Sequence, residues 1–344
     1  MEAEEIKALR LARQHLVSPV SMQQAVQDLC GVQAQFLSNA MHALRIRSFD
    51  FSEERARNEL LKCWTLRGTM HVFAQADLAL MLHEGRGHFL RPCDTLEADE
   101  FVSKERKAFF ADLIVSMIGQ GKDEREVLKE ICTSHGMTEA EGESVFNAWG
   151  GTIRALCEAG RICHVTQEKK AFRLCPDFTP LEKDAAGVEL ARRYFTHYGP
   201  ATVRDAAYFF GETQKQIKSW MDQLPLEASA FDGKTFYHLP CDVDQRASVP
   251  DCLFLAGFDP LMLGYEKKES LFLPQEYLRG IFNLAGIVMP AVLLRGSVAG
   301  RWKKTGKKLN VTMFKNMGTA EKRLIEEKAY ALWGDGIRLD ISNP

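Results

Sequence analysis

The sequence predicts an α+β fold, made of three tandem helix–helix–hairpin units, a β-rich C-terminal region and a closing helix. Three observations predict it. One order of elements recurs along the chain, Asp232-Gly233 is a hairpin-turn signal, and β-prone segments dominate after Pro250. Two or three helices followed by a two-stranded wing is the plan of a winged helix.

The first unit is predicted at residues 1–90. Helical patterns of apolar residues cover residues 6–16, 22–29 and 53–63, and the β-rich residues 64–73 would form its wing. This unit fits the helix–helix–hairpin order more loosely than the two that follow.

The second unit, residues 91–180, has clearer boundaries. One helix ends at Gly136, and Thr138 is the predicted N-cap of the next helix, which Gly160 ends. Two β-prone segments then flank a polar turn and predict a hairpin. Its strands are expected at residues 162–165 and 171–174.

The third unit, residues 181–245, repeats this order. Gly199-Pro200 ends its first helix, and two β-prone segments meet at Asp232-Gly233, a strong signal for a type I′ turn. The predicted helices cover residues 185–198, 202–210 and 213–224, and the predicted strands cover residues 226–231 and 235–239.

The fourth segment, residues 246–344, is predicted to be β-rich. We interpret its polar residues 265–270 as an exposed hairpin tip, and Asp259, which precedes Pro260, as a capping or turn residue. The strands are predicted at residues 253–255, 291–294, 298–302 and 309–314, before an amphipathic helix at Thr319–Trp333.

The composition is that of an ordinary soluble protein, with 46% hydrophobic and 26% charged residues among 344. No apolar run approaches the ~20 residues that span a bilayer. The nine cysteines form no Cys-x-x-Cys pair, which argues against a disulfide framework and a zinc knuckle. We therefore expect a reduced, cytoplasmic protein, nucleoid-associated if it is prokaryotic, and a monomer.

Cofactor and metal motifs are missing from the sequence. No His, Cys and Asp residues have metal-ligand spacing, and no glycine-rich phosphate loop occurs. We therefore expect neither a metal nor a cofactor.

Basic residues concentrate near the C-terminus although the net charge is −2. Residues 294–315 contain seven lysines and arginines and no acidic residue. Such a segment can bind the phosphates of nucleic acid through its positive charges. The candidate contacts are Arg301, Lys303, Lys304, Lys307 and Lys308.

Two uncharged amides lie two residues apart in the run Gly31-Val32-Gln33-Ala34-Gln35-Phe36. On a helix they would point ~200° apart. An extended chain after Gly31 would put Gln33 and Gln35 on one side and the three apolar residues on the other. Amides orient water but do not take its proton, so such a pair would need a substrate whose leaving group is already positively charged. The alternative interpretation is two surface glutamines.

A second polar pattern lies in the predicted first wing. Arg67, Thr69 and His71 alternate, so on a strand they would share one face and could hydrogen-bond phosphate or sugar. We do not expect His71 to be a direct catalyst.

Together these features resemble the AlkZ/YcaQ-type winged-helix DNA glycosylases. Gly31-Val32-Gln33-Ala34-Gln35 is similar to the family pattern Gly-Leu-Gln-aliphatic-Gln/Asp, and Arg67-Gly68-Thr69-Met70-His71 is similar to Arg-x-Thr-Leu-His. Two later landmarks follow in order, Tyr198-Gly199-Pro200-Ala201-Thr202 and Pro290-Ala291-Val292-Leu293-Leu294 with Gly300-Arg301-Trp302. The resemblance covers essentially the whole chain.

The resemblance implies a monofunctional DNA glycosylase that removes cationic N7-alkylated purines from double-stranded DNA and can unhook interstrand crosslinks. It implies Gln33 and Gln35 as the active-site pair, with amides at both positions and no carboxylate base at Gln35. It also places a DNA-contacting hairpin near Tyr265, Lys267 and Lys268.

Two other classes of function stay open on the residues alone. The same modules could form a non-enzymatic winged-helix DNA-binding protein or transcription regulator, which would prefer one duplex sequence and ignore lesions. They could also form a protein-interaction scaffold, in which the basic segment would not affect DNA affinity.

Overall fold

The computed structural model describes residues 1–85, 92–148 and 150–343, and its fold is of the α+β class. The helices are α1 (Ala3–Arg13), α2 (Met22–Asp28), α3 (Leu37–Arg45), α4 (Glu53–Glu59), α5 (Leu78–Met81), α6 (Lys104–Gly119), α7 (Arg125–Ser134), α8 (Glu139–Val145), α9 (Gly151–Glu158), α10 (Lys183–His197), α11 (Val203–Phe210), α12 (Gln214–Met221), α13 (Pro260–Leu263), α14 (Leu278–Ile281) and α15 (Thr319–Trp333). No helix within these described ranges is long and apolar enough to cross a membrane.

The strands are β1 (Val32–Gln33), β2 (Leu60–Trp64), β3 (Met70–Ala74), β4 (Ile162–His164), β5 (Phe172–Leu174), β6 (Glu227–Phe231), β7 (Lys234–His238), β8 (Cys252–Leu255), β9 (Ala291–Leu294), β10 (Ser297–Thr305), β11 (Lys308–Met313) and β12 (Arg338–Ser342). Most of the predicted elements form. Helix α15 has the predicted bounds, and Thr138, Thr202 and Thr213 accept the capping hydrogen bonds that start α8, α11 and α12.

The chain divides into two compact units. Residues Met1–Phe51 and Val188–Pro344 form the first unit, and residues Ser52–Gly187 form the second. The predicted first segment, residues 1–90, is therefore divided between them, and its boundary at residue 90 lies outside the described residues. The division into three winged helices stays a prediction.

A five-stranded sheet forms the C-terminal part of the first unit. Its strand order is β12-β11-β10-β9-β8, antiparallel except where β11 and β12 run parallel. Alternate residues of β10 and β11, among them Trp302, Leu309 and Val311, face a core that helix α15 covers with Ile325 and Ala329. Strand β12 was not predicted from the sequence.

The third predicted unit has the expected elements in the expected order, α10, α11, α12 and the β6–β7 hairpin. Asp232 and Gly233 have φ values of 49° and 70°, as a type I′ turn requires. The local core is aromatic: Tyr194 stacks on Tyr198 with ring centroids 5.1 Å apart, and Phe209 is tilted against both at 4.9 and 4.8 Å.

In the second unit, the two predicted wings join into one sheet. Strands β2 and β3 form one hairpin, β4 and β5 form another, and Lys62 pairs with His164 between them. The wing assigned to residues 1–90 therefore shares a sheet with β4 and β5 and belongs to the second unit.

Three local predictions are wrong. The helix predicted over residues 53–63 ends at Glu59, because residues 60–64 are buried as strand β2. The helix predicted from Thr138 to Gly160 is interrupted between α8 and α9. Residues 265–270 are not a hairpin tip, because the preceding apolar residues form helix α13 and no strands flank the segment in this described part of the chain.

A completely buried ion pair connects the two chain segments of the first unit. Arg47 Nη2 and Nη1 donate to Asp259 Oδ1 and Oδ2 at 2.6 and 3.1 Å, and both side chains are 0% exposed. The Asp259 carboxylate also accepts from the backbone N–H of Leu261, so its predicted role as a cap is confirmed. A buried charge is tolerated only when it is paired and hydrogen-bonded in this way.

We predict that Asp259→Ala lowers the free energy of unfolding by about 3–5 kcal/mol, because it leaves the Arg47 guanidinium buried without its counter-ion. Guanidinium chloride denaturation measures the loss. The control is Arg323→Ala, which removes an exposed i,i+4 pair with Glu327 and should cost only about 0.5 kcal/mol. Equal losses in the two variants would contradict the prediction.

Candidate active site

The glutamine segment, residues 31–36 with Gln33 and Gln35, follows the end of helix α2. Cys30 and Gly31 have left-handed φ values of 56° and 80°. The Gly31 N–H donates to Val26 O at 2.8 Å and the Cys30 N–H donates to Gln27 O at 3.1 Å. These are the paired bonds of a Schellman helix end, which closes the helix and releases an extended chain.

The extended conformation predicted after Gly31 forms only over Val32 and Gln33, and the chain bends at Gln35 and Phe36. Val32 and Ala34 are buried, as the alternation predicts, and Gln35 is exposed. Gln33 was expected to face outward with Gln35 but is buried, at 9% exposure. Phe36 was expected to point inward but is 49% exposed. An aromatic ring therefore lies on the surface directly after the second glutamine.

Buried tyrosines hold the end of helix α2. Tyr198 donates its hydroxyl hydrogen to Leu29 O at 3.0 Å, two residues before Gly31. Tyr265 in turn donates to Tyr198 O at 2.9 Å and accepts from Gln14 Nε2 at 3.0 Å. The Tyr198 motif thus positions the glutamine segment.

A second support lies beneath Phe36. Its ring stacks on Phe258, with centroids 5.9 Å apart, and Phe258 directly precedes the buried Asp259. Gly257 lies against α3 so closely that a Cβ there would be 2.6 Å from Asn39 Nδ2. Sequence reasoning did not identify this aromatic pair. The sequence pattern placed Phe36 in the core, but the alternation of buried and exposed residues ends at Ala34.

The three polar residues of the first wing do not share a strand face. Residues 65–69 form a tight connection in which Arg67 has a φ of 56° and the Thr69 hydroxyl donates to Leu66 O. Only His71 lies on strand β3, and it is 3% exposed. Burial, and then the charge of Arg67, lower the pKa of His71 to about 3. The His71 imidazole is therefore neutral and buried at pH 7, and it does not offer a positive charge to a phosphate.

The basic residues lie on the hairpin of strands β10 and β11, here called the basic hairpin, and they are exposed as predicted. Cα pairing places Arg301 opposite Thr312 and Lys303 opposite Asn310, on the face of β10–β11 that points away from Trp302 and the core. Lys304 and Lys307 are exposed near the turn, and Lys308 lies 3.9 Å from Asp340. The hairpin therefore presents a solvated, positively charged edge.

The three residues predicted to contact DNA near residue 265 do not lie on one common surface. Tyr265 is a core residue, 1% exposed, and its side chain cannot contact DNA in this conformation. Lys267 lies over the Phe282 ring at 5.8 Å, and Lys268 is exposed at a cavity of about 370 Å³. Three acidic residues, Asp205, Asp232 and Glu269, also line that cavity, so it is not a basic pocket.

One set of side chains in the first unit has the composition of a metal site. His15, Asp28 and His197 bring one potential ligand atom each within 4.8 Å of one another, and no other such set occurs among the described residues. Burial lowers the pKa of His197 to about 4, so its ring is neutral at pH 7. These residues were missed because they are far apart in the sequence.

Comparison with known proteins gives three consistent results. The family described as DNA glycosylase AlkZ-like matches residues 26–333. A protein of Streptomyces sahachiroi named interstrand DNA cross-link repair glycosylase is 25% identical over 350 residues, covering 94% of both chains. The structure titled Streptomyces sahachiroi DNA glycosylase AlkZ aligns over 100% of both chains, with a TM-score of 0.80 and 22% identity, and so has the same fold.

We predict that His71 makes stability depend on pH. Its pKa falls from 6.5 to about 3 on folding, so below pH 6.5 only the unfolded state binds the proton and stability decreases as the pH falls. Between pH 6 and 4.5, His71→Gln should reduce the slope of the unfolding free energy by about 1.4 kcal/mol per pH unit. Urea denaturation at several pH values measures both slopes, and parallel curves would contradict the assignment.

Proposed function

The chain belongs to the AlkZ-like DNA glycosylase family, and we propose that it is a monofunctional glycosylase for cationic N7-alkylated purines in double-stranded DNA. The observation that carries the proposal is the segment after helix α2, in which Gln35 is exposed and Gln33, two residues before it, is 9% exposed. In it the two amides orient the attacking water. Amides do not titrate between pH 6 and 9, so this pair supplies no general acid or base.

The chemistry of an N7-alkylated purine fits such a site. The alkyl group gives the base a formal positive charge, so the base departs with the electron pair of the C1′–N9 bond and becomes neutral without being protonated. Water forms the new C1′–O bond and loses its proton to solvent. The amide oxygens of Gln33 and Gln35 accept hydrogen bonds from this water and stabilise the positive charge that develops on the sugar. A neutral purine would be a poor substrate.

Interstrand crosslinks are a further substrate of the same reaction. The Streptomyces relative is named for cross-link repair. A crosslink between two N7 atoms carries the same cationic leaving group at each end, so the same water attack would release one end and unhook the strands. A monofunctional enzyme leaves an intact abasic strand, and no lysine lies within residues 31–36 to form a Schiff base.

The basic hairpin supplies the second part of the proposal. We assign Arg301, Lys303 and Lys307 to phosphate contacts, because they are exposed on one projecting edge. Such contacts position the duplex without reading its sequence. Lys304 and Lys308 belong to the same surface, although Asp340 partly offsets the charge of Lys308.

We predict that Gln33→Ala and Gln35→Ala each slow base release by about 100-fold or more, because each loses a group that orients the water. The measurement is single-turnover release from a duplex with one N7-methylguanine, repeated with a nitrogen-mustard crosslink. Gln24→Ala, an exposed glutamine on α2, is the matched control and should keep the wild-type rate.

Three results would contradict this mechanism. Wild-type protein that binds the duplex but releases neither lesion would be a DNA-binding protein without glycosylase activity. A borohydride-trapped adduct would indicate a lyase. A steep bell-shaped pH–rate profile between pH 6 and 9 would reveal a titrating acid and base, which the amide pair does not contain.

We also predict that the double variant Arg301→Gln and Lys303→Gln binds undamaged duplex more weakly. Each lost phosphate contact should reduce the slope of log K against log salt by about 0.9. Arg323→Gln removes an equally exposed cation from α15 and serves as the control. Salt-dependent fluorescence anisotropy measures the slopes, and identical slopes in all three proteins would exclude the hairpin from the DNA contact.

A further inference from the structure

Three side chains from separate helix ends meet around one carboxylate in the first unit. His15 follows α1, Asp28 is the last residue of α2, and His197 is the last residue of α10. His15 Nε2 lies 2.8 Å from Asp28 Oδ2, and His197 Nε2 lies 3.3 Å from Asp28 Oδ1. Nothing in the proposed glycosylase chemistry uses these residues.

The hydrogen bonding of His197 leaves a lone pair directed at the carboxylate. Its Nδ1 lies 3.3 Å from the backbone carbonyl oxygen of Arg13, and a carbonyl only accepts, so Nδ1 carries the hydrogen. Nε2 then needs either a second proton or a metal ion to meet the Asp28 carboxylate. A nitrogen lone pair and a carboxylate oxygen that face each other repel unless a cation lies between them.

The His15 ring can also present a lone pair. Without an ion its Nε2 carries the hydrogen, because the Asp28 carboxylate 2.8 Å away only accepts. Its Nδ1 is buried and has no hydrogen-bond partner in the described protein, so the hydrogen can move to Nδ1 when a metal ion binds at Nε2.

The spacing of the ligand atoms suits a transition metal. Neighbouring N and O ligands about 2.0–2.2 Å from one ion lie ~3.0–3.4 Å apart. The distances from the two imidazoles to the two carboxylate oxygens, 2.8 and 3.3 Å, are close to this spacing, and one ligand atom of each residue lies within 4.8 Å of the others. Two imidazoles and one carboxylate suit Zn²⁺, Fe²⁺, Co²⁺ or Ni²⁺ and disfavour Mg²⁺ and Ca²⁺, which prefer oxygen ligands.

We propose that His15, Asp28 and His197 bind one divalent transition-metal ion. The ion joins the ends of α1, α2 and α10, and α2 leads within five residues to Gln33. Its role is to hold the start of the glutamine segment in place, and no step of base release passes through it.

The test is titration of the metal-free full chain with ZnCl₂ and, in parallel, CoCl₂. We expect one ion per chain by calorimetry, a visible Co²⁺ absorption band, and a higher melting temperature with Zn²⁺. Loss of groups around metal ligands already costs ~10–100-fold in affinity, so Asp28→Asn and His197→Gln should each weaken Zn²⁺ binding by at least about 100-fold.

His238→Gln is the matched control. His238 also faces a carboxylate, with Nε2 3.4 Å from Glu227 Oε2, but lies outside the three-residue set. This variant should bind Zn²⁺ like the wild type.

Circular dichroism shows whether each variant is folded. If Asp28→Asn and His197→Gln unfold, imidazole ¹⁵N shifts of His15 and His197 on adding Zn²⁺ to wild-type protein decide instead. No stoichiometric ion in the wild type, or equal affinity in folded Asp28→Asn and His197→Gln, would overturn the proposal.

Discussion

The Arg47–Asp259 ion pair, with both charges removed from water, is the contact on which the site's architecture depends. Arg47 also donates to the backbone oxygens of Gln14 and Ala43, and the carboxylate accepts from Ala256 and Leu261, so the guanidinium makes four hydrogen bonds and each carboxylate oxygen accepts two. This satisfaction is what makes the burial of two charges tolerable. The pair fixes the loop that carries Phe258, and Phe258 supports Phe36 beside Gln35.

The glutamine segment is held from both ends by groups that take no part in the chemistry. Tyr198 anchors the end of α2, and Trp302 Nε1 donates to Leu255 O at 2.8 Å, just before the Phe258 loop. Both residues belong to motifs that define the family resemblance. An orientation effect on water depends on positions accurate to a fraction of an ångström. A rigid, well-bonded support is therefore the expected setting for a pair of amides whose proposed contribution is orientation alone.

The buried histidines give the protein two kinds of electrostatic behaviour. His71 and His164 are kept neutral by desolvation, with pKa values of about 3, so acid opposes the fold of the second unit. In the first unit, burial also lowers the pKa of His197, to about 4, but His15 and His197 lie against a carboxylate, where the proposed divalent cation would be stabilising. Neither behaviour depends on the glutamine pair, which has no titrating group of its own.

The sequence by itself determined the elements whose signals are local. The Asp232-Gly233 turn, the threonine caps, helix α15 and the extended residues Val32 and Gln33 all follow from backbone preferences and short-range hydrogen bonds. Tertiary structure decided what depends on distant partners. Residues 60–64 became a strand because burial outweighed their helical pattern, Tyr265 became a core residue, and the Arg47–Asp259 and His15–Asp28–His197 contacts formed. Such contacts join residues with no fixed spacing along the chain, so no periodicity or motif could reveal them.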